Sequence, residues 1–310
     1  MKKFLEAEWI SWIHLVSPTH KEIDQIVKKY DFHEIIEEDL REENNHDIID
    51  LYDDHIFIVL HFPKYNEKKW KYFLNEFNII LWKNFIISVT KYETNHIVKI
   101  RDEYKDDLKE KEKDEKYKIS PYYILYRIID QMYDKILIWL NKFTKDLVKI
   151  EDSIFDSKKL QKDSLEMLLI KKRNIVILKN MISSHQEILE ELWKATNKLY
   201  QWDLDVYFED LQYKVDKITW QIRILEDNTD WLSTTYNTLA NIKTNSTVSI
   251  LTIFTAIIWV MTLITGFYGM NVKLPWWWHE NMYFYIAWWM VCFSLLSIFM
   301  IIFSKKKGRL

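Results

Sequence analysis

The chain has 310 residues, with 43 Lys/Arg against 46 Asp/Glu, a formal net charge of −3, 48% hydrophobic and 29% charged residues. That length allows one or two domains, and the slight acidity argues against nucleic acid as a partner while being compatible with cations. One cysteine, Cys292, excludes a disulfide framework and a cysteine-based zinc site.

Met1-Lys2-Lys3-Phe4 lacks the apolar stretch of a secretory signal, which predicts that the N-terminal part stays in the cytoplasm. Trp9 to Val16 reads as a strand, and Ser17-Pro18-Thr19 opens a helix running to about Tyr30, with a capping residue and a proline in the first turn. Ile48 to Tyr52 and His55 to Phe62 are short apolar runs of strand type. Tyr72 to Leu81 and Phe85 to Thr90 predict a hairpin pair. From Glu93 to Lys118 both charges are dense, as in a solvated helix or an exposed connector. No Gly-rich phosphate loop and no paired nucleophile and base occur, so an enzyme is the class with the least support.

From Pro121 the pattern becomes helical. Tyr122 to Phe155 and Ser164 to Lys198 carry apolar residues at three- and four-residue spacing, predicting two long antiparallel helices. A stalk follows, in which Leu204, Phe208, Leu211, Val215, Ile218, Ile222, Leu225, Leu232, Tyr236 and Leu239 keep a 4-3 alternation broken at Thr229. Such a seam calls for helix partners. No Gly or Pro interrupts from Asp203 to Ile264, so stalk and following apolar run form one predicted helix of ~65 residues, on the order of 100 Å long.

Val248 to Phe267 contains no charged side chain, and a second apolar run spans Met282 to Phe303. Each is about 20 residues, enough to cross a hydrocarbon core of roughly 30 Å. Ser304-Lys305-Lys306-Lys307-Gly308-Arg309 supplies a basic end that belongs in the cytoplasm and suits anionic lipid. The predicted protein is therefore multi-pass in the cell (inner) membrane, with both termini cytoplasmic and Asn271 outside. Of the 43 basic and 46 acidic residues, five and one fall after Val248, which leaves the rest of the chain with 38 against 45.

At 100° per residue, Val248, Thr252, Thr255, Trp259, Thr262 and Gly266 fall within about 80° of one another on the first span. Small residues on one stripe either line water or pack against a neighbouring helix. The stripe leads straight to Gly269-Met270-Asn271, which favours pore lining. Trp259 is the exception: indoles from several copies facing one axis would block it, so either Trp259 rotates into packing or the position is a misread Gly.

Tyr268-Gly269-Met270-Asn271 at the outer end of the first of two C-terminal spans resembles the CorA family of magnesium channels. Asn245, Leu251-Thr252, Thr262 and Gly266 fall at that family's spacing, and the resemblance covers essentially the whole chain. It implies an α/β cytoplasmic domain followed by long helices, a very long stalk helix entering the membrane, and a homopentameric funnel. It implies further that Gly269, Met270 and Asn271 form a selectivity filter, with Asn245, Val248, Thr252, Thr255, Trp259, Thr262 and Gly266 lining the pore. Mg2+ would be both transported and regulatory. The family commonly has Pro where this chain has Val260, and its acidic outer loop is replaced here by Lys273 and Glu280.

The filter has a physical logic. Mg2+ sheds water reluctantly and prefers octahedral oxygen ligation. A ring of Asn oxygens accepts hydrogen bonds from its water shell without trapping the ion as carboxylates would. The resemblance also singles out Glu38 and Asp39, Asp210 in Tyr207-Phe208-Glu209-Asp210, and Asp130 as acids of a regulatory Mg2+ site between subunits. Bringing carboxylates together costs repulsion that a bound divalent ion relieves. Zinc, cobalt or nickel transport by the same architecture, and a membrane-anchored helical scaffold without transport, stand as alternatives.

These readings divide the chain into a cytoplasmic α/β domain at 1–120, a helical pair at 121–202, a stalk at 203–247, transmembrane helices at 248–267 and 282–303 with an external loop at 268–281, and a basic tail at 304–310. One compositional anomaly stands apart from them. There are 3 Gly and 15 Trp, where average usage of about 7% predicts roughly 22 Gly. Either some Trp are UGA codons that the source organism reads as Gly, or they form an interfacial aromatic belt. Trp82, at a hairpin end, and Trp276-Trp277-Trp278 are the positions that read most naturally as Gly.

Overall fold

The computed structural model describes residues 5–7, 10–66, 71–92, 95–110, 120–155, 162–199, 204–270, 288–289 and 291–293. The chain divides into two compact units, 1–233 and 234–310.

The first unit opens with a six-stranded sheet. Its strands are β1 (Leu5–Ala7), β2 (Ile10–Val16), β3 (Ile48–Leu51), β4 (His55–Asn66), β5 (Lys71–Trp82) and β6 (Phe85–Thr90), in the order β1-β2-β6-β5-β4-β3. β2 runs parallel to β6 and the other neighbours are antiparallel. Both faces are covered, so β4 and β6 are apolar almost throughout, as strands buried on two sides must be. Helices α1 (His20–Tyr30) and α2 (Glu34–Arg41) close one face, packing Ile23, Ile26, Ile36 and Leu40 against Ile13, Phe57, Val59, Ile80 and Ile87. The other face meets α4 (Pro121–Phe155) and α5 (Lys162–Leu199), where Phe62 contacts Tyr133 and His185. α3 (Asn95–Glu110) joins that layer, its Tyr104 ring facing Tyr123.

Local chemistry explains the ends. Glu22 accepts hydrogen bonds from the Thr19 backbone N–H and hydroxyl, both at 2.9 Å, which caps α1. Asp31 then takes a left-handed backbone (φ 52°), and the Phe32 N–H returns to the Val27 carbonyl. α2 was not predicted as a helix. Its signal was Ile36 and Leu40, four apart and both buried, behind His33, whose ring accepts from the Ile35 N–H.

α4 and α5 form the predicted antiparallel pair, tied by Lys171–Asp146 at 2.6 Å and Ser153–Ser164 at 2.9 Å. The final long helix, α6 (Asp205–Tyr268, 64 residues), is the uninterrupted one that the sequence predicts. Its apolar seam is buried from Leu204 through Leu232, Phe208 partly, against the chain's own helices. Lys172–Asp230, Lys179–Glu226, Trp193–Phe208 and Tyr126–Asp210 flank that contact. The 4-3 alternation therefore finds its partners inside one chain along this stretch.

The break at Thr229 is a fully buried hydroxyl that donates to the Leu225 carbonyl at 2.6 Å. Thr229→Val removes a polar atom from an apolar seam while the carbonyl keeps its helical partner. We expect a gain within about 1 kcal/mol, a rise of roughly 2–4 °C in the thermal midpoint.

The backbone at Trp82 does not itself require glycine. The Leu81–Ile86 pairing leaves Lys83-Asn84 as the hairpin tip. Among described non-glycine residues only Ser17 and Asp31 have positive φ. The indole instead stacks on His55 (4.8 Å) and Phe85 (4.9 Å), with Phe32 at 5.9 Å. Trp276 to Trp278 lie outside the described residues.

In the second unit, α6 continues from Thr234, and it is the helix among the described residues long and apolar enough to cross a membrane. Of the second predicted span, Trp288-Trp289 and Val291 to Phe293 are described, all helical.

Candidate functional site

The C-terminal part of α6 presents the predicted stripe. Asn245, Val248, Thr252, Thr255, Trp259, Thr262 and Gly266 are all exposed in the single chain. Each threonine hydroxyl of the stripe donates to the carbonyl four residues earlier: Thr252 to Val248, Thr255 to Leu251 and Thr262 to Ile258, all at 2.8 Å. With its hydrogen committed to the backbone, a hydroxyl offers the stripe only lone pairs. The three threonine hydroxyls thus accept hydrogen bonds and donate none, which suits the water shell of a cation.

Two glycines end the stripe, for different reasons. A Cβ on Gly266 would meet nothing within 4 Å in the single chain, so the helix itself does not require glycine there. At Gly269 the N–H closes the last turn onto the Thr265 carbonyl at 2.9 Å, and a Cβ would stand 3.0 Å from that oxygen. A side chain there would need that carbonyl to give way by a few tenths of an ångström. Met270 is exposed, and Asn271 lies outside the described residues.

The acids of the predicted regulatory site fall into two groups. On α4 and α6, Asp130 is buried and paired with Lys214, which also holds Asp134 at 2.7 Å. Asp210 accepts the Tyr126 hydroxyl at 2.9 Å. Burial pushes the Asp130 carboxyl above the ordinary carboxylate range, with Asp134 and Asp210 adding to it and Lys214 opposing. The Tyr126 phenol is pushed far up by burial and by the charges of Asp130 and Asp210. Asp39 stands with other company at the end of α2. Its carboxyl is raised by burial and then by Asp50, Glu38, Glu76 and Glu42. Among the described residues of one chain, no three His, Cys, Asp or Glu side chains are arranged to hold a metal.

Sequence reasoning missed a buried polar network nearby, joining Asp47, His61, His185 and Tyr133. Its hydrogen-bonded pairs are 14 to 124 positions apart, so no local spacing announces it.

The described elements are an α/β domain, an antiparallel helical pair and one unbroken helix that carries an apolar stretch long enough to cross a membrane. Residues 7–307 match the family described as CorA-like Mg2+ transporter protein, and the chain belongs to that family. It is 22% identical to the cobalt/magnesium transport protein CorA of Thermotoga maritima over 98% of this chain and 84% of that protein. In structure it is similar to the CorA magnesium transporter of Methanocaldococcus jannaschii, with a TM-score of 0.80, 18% identity, and 96% and 92% of the two chains covered. The cytoplasmic domain of ZntB from Vibrio parahaemolyticus matches with a TM-score of 0.60 and 14% identity over 76% of this chain and 89% of that one. These structural likenesses support the fold: an α/β domain followed by long helices.

Proposed function

We propose that the chain is a channel for Mg2+ uptake, assembled as a homopentamer with α6 of each copy around a common axis. The observation that carries this reading is the stripe on α6, whose hydroxyls have turned their hydrogens inward and whose line ends at Gly269-Met270. Repeated around an axis, its threonines form an acceptor-lined path for an ion that keeps its water, with Trp259 turned into the packing between helices. Asn271 follows at the outer mouth as the selectivity ring. Both termini are cytoplasmic in this reading, the second span is 282–303, and the basic tail meets anionic lipid.

Growth of a magnesium-uptake-deficient strain carrying this chain tests the reading: rescue at low external Mg2+ supports it. Failure to rescue by a chain that reaches the membrane overturns it and leaves transport of another divalent ion or the scaffold. Cobalt is the second reading, because the Thermotoga maritima relative is named for both ions. Competition by Co2+ during Mg2+ uptake separates the two.

Regulation belongs to the interface between copies. The two acid groups each lack a metal geometry within one chain, which is what a site completed by a neighbour requires. Asp39 and Glu38 of one copy then face Asp210, with Asp130, of the next, and Mg2+ holds the closed assembly. Asp210→Asn keeps an acceptor for Tyr126 and removes the charge. Its currents are expected to persist at intracellular Mg2+ that silences the wild type, raising the half-inhibitory concentration about tenfold or more, the equivalent of roughly 1.4 kcal/mol. An unchanged inhibition curve would remove Asp210 from the site.

A further inference from the structure

The Asp47 network shares no residue with the threonine stripe, and its hydrogen bonds assign their own protons. His61 Nδ1 lies 2.8 Å from Asp47 Oδ1, and its Nε2 lies 2.9 Å from the Asn44 carbonyl oxygen. An ionised carboxylate and a carbonyl can only accept. Both bonds are therefore made only when both ring nitrogens carry hydrogen, so His61 is an imidazolium. Asp47 is its counter-ion, accepting the His61 backbone N–H at 2.8 Å as well as a Ser184 side-chain hydrogen bond.

His185 is the opposite case. Its Nε2 donates to the His61 carbonyl at 3.0 Å and lies 3.7 Å from Asp47 Oδ2. Its Nδ1, 3.2 Å from the hydroxyl of fully buried Tyr133, accepts that hydroxyl's hydrogen. His185 is the neutral tautomer. One cation, one anion and one neutral ring thus meet where β4, the segment before β3, α4 and α5 join.

We propose that His61 is a proton-responsive clasp. Protonated, it ties the 42–47 segment to β4; deprotonated, it lets that segment go and loosens the C-terminal end of α2. When His61 loses one proton, the remaining N–H stays with the charged Asp47, and Nε2 turns a lone pair toward the Asn44 oxygen. Asn44 is the joint. Its backbone N–H and Nδ2 donate to Glu76, each at 3.2 Å, and Nδ2 donates to the Asp39 carbonyl at 3.1 Å. Freeing its carbonyl therefore loosens a contact that reaches α2. The clasp itself does not depend on Asp39 being a metal ligand.

The surrounding charges favour this assignment. His61 faces Asp47, Glu76 on β5 and His185 on α5, and it lines a cleft of about 290 Å3 that also holds the Glu43–Lys91 pair. The cleft gives protons a route to it. Burial alone lowers the His61 value, but Asp47, the Asn44 carbonyl and Glu76 outweigh burial and hold it above the ordinary histidine value. The clasp is thus fully engaged below about pH 6.5 and is lost as pH rises through that raised value. His185, lowered by burial, favours the fold above about pH 6.5 and so acts in the opposite direction.

Hydrogen–deuterium exchange of the full-length chain in lipid nanodiscs, between about pH 6 and 9 and corrected for intrinsic exchange, reads the clasp directly. Protection of amides 42–47 is expected to fall about tenfold or more across one transition while β5 and β6 stay protected. Asp47→Asn, which keeps an acceptor but removes the charge, should move that midpoint down by roughly one pH unit or more. His61→Gln should leave the segment open at every pH. Protection that does not change with pH in the wild type, or a midpoint that Asp47→Asn leaves in place, overturns the proposal.

Discussion

Uptake of Mg2+ by the Asn271→Ala variant is expected to fall to background, with assembly and membrane insertion unchanged. The reason is the chemistry of a hydrated ion. Mg2+ gives up its inner waters reluctantly, so the entrance must recognise water hydrogens rather than metal. In the proposed assembly, amide oxygens would do this as neutral acceptors, repeated once per copy around the axis. Alanine removes every acceptor from the ring at once and leaves apolar methyls facing a doubly charged ion. Asn271→Asp makes the complementary test. A carboxylate ring should still admit divalent ions but hold them longer, lowering the maximal flux while tightening apparent affinity. Isotope or fluorescent-indicator flux into proteoliposomes measures both, and wild-type flux through Asn271→Ala would move the filter away from position 271.

The second large effect is on stability. Asp47→Ala should cost about 3–5 kcal/mol near neutral pH, because it leaves the His61 imidazolium buried without its counter-ion. For a unit of this size that lowers the thermal midpoint by on the order of 10 °C. The pH dependence carries a sign. Burial pushes the Asp47 carboxyl up, but the hydrogen bonds from His61 and Ser184 and the nearby His185 hold it below the ordinary range. Its stabilisation is therefore present above about pH 4 and lost as pH falls through the lowered value. At the alkaline end the deficit shrinks as well, since a neutral His61 no longer needs a counter-ion. Thermal unfolding in detergent across that range measures the gap. A variant that unfolds at the wild-type temperature would mean that His61 is not charged in the fold.

The long helices were legible almost to the residue. Pro121 and Phe155 bound α4, and Lys162 and Leu199 bound α5, within two residues of the predicted ends. Apolar residues three and four apart, in stretches free of Gly and Pro, leave a chain few alternatives. The strands from Ile48 to Thr90 were legible for a similar reason, as short β-branched and aromatic runs between polar turns. β1 was not, being three residues long, and α2 was recognised only for its acids. At Trp82 the backbone itself does not call for Gly. A hairpin end raises the expectation of Gly, but the tip is Lys83-Asn84 and the indole belongs to an aromatic cluster with His55, Phe32 and Phe85.

What the sequence by itself determined is everything carried by short-range periodicity: the helical pair, the unbroken α6 and the threonine stripe ending at Gly269. These follow from 3.6-residue geometry, which acts between neighbours in the chain. The tertiary structure alone decided who pairs with whom across distance. It set β2 beside β6, and it buried the 4-3 seam against α4 and α5 of the same chain. It also placed Asp39 in one acidic group with Asp130 and Asp210 in another, and joined Asp47, His61 and His185 in one buried hydrogen-bonded network. Such pairings depend on which apolar faces must be covered simultaneously, a condition on the whole fold that no local window of residues contains.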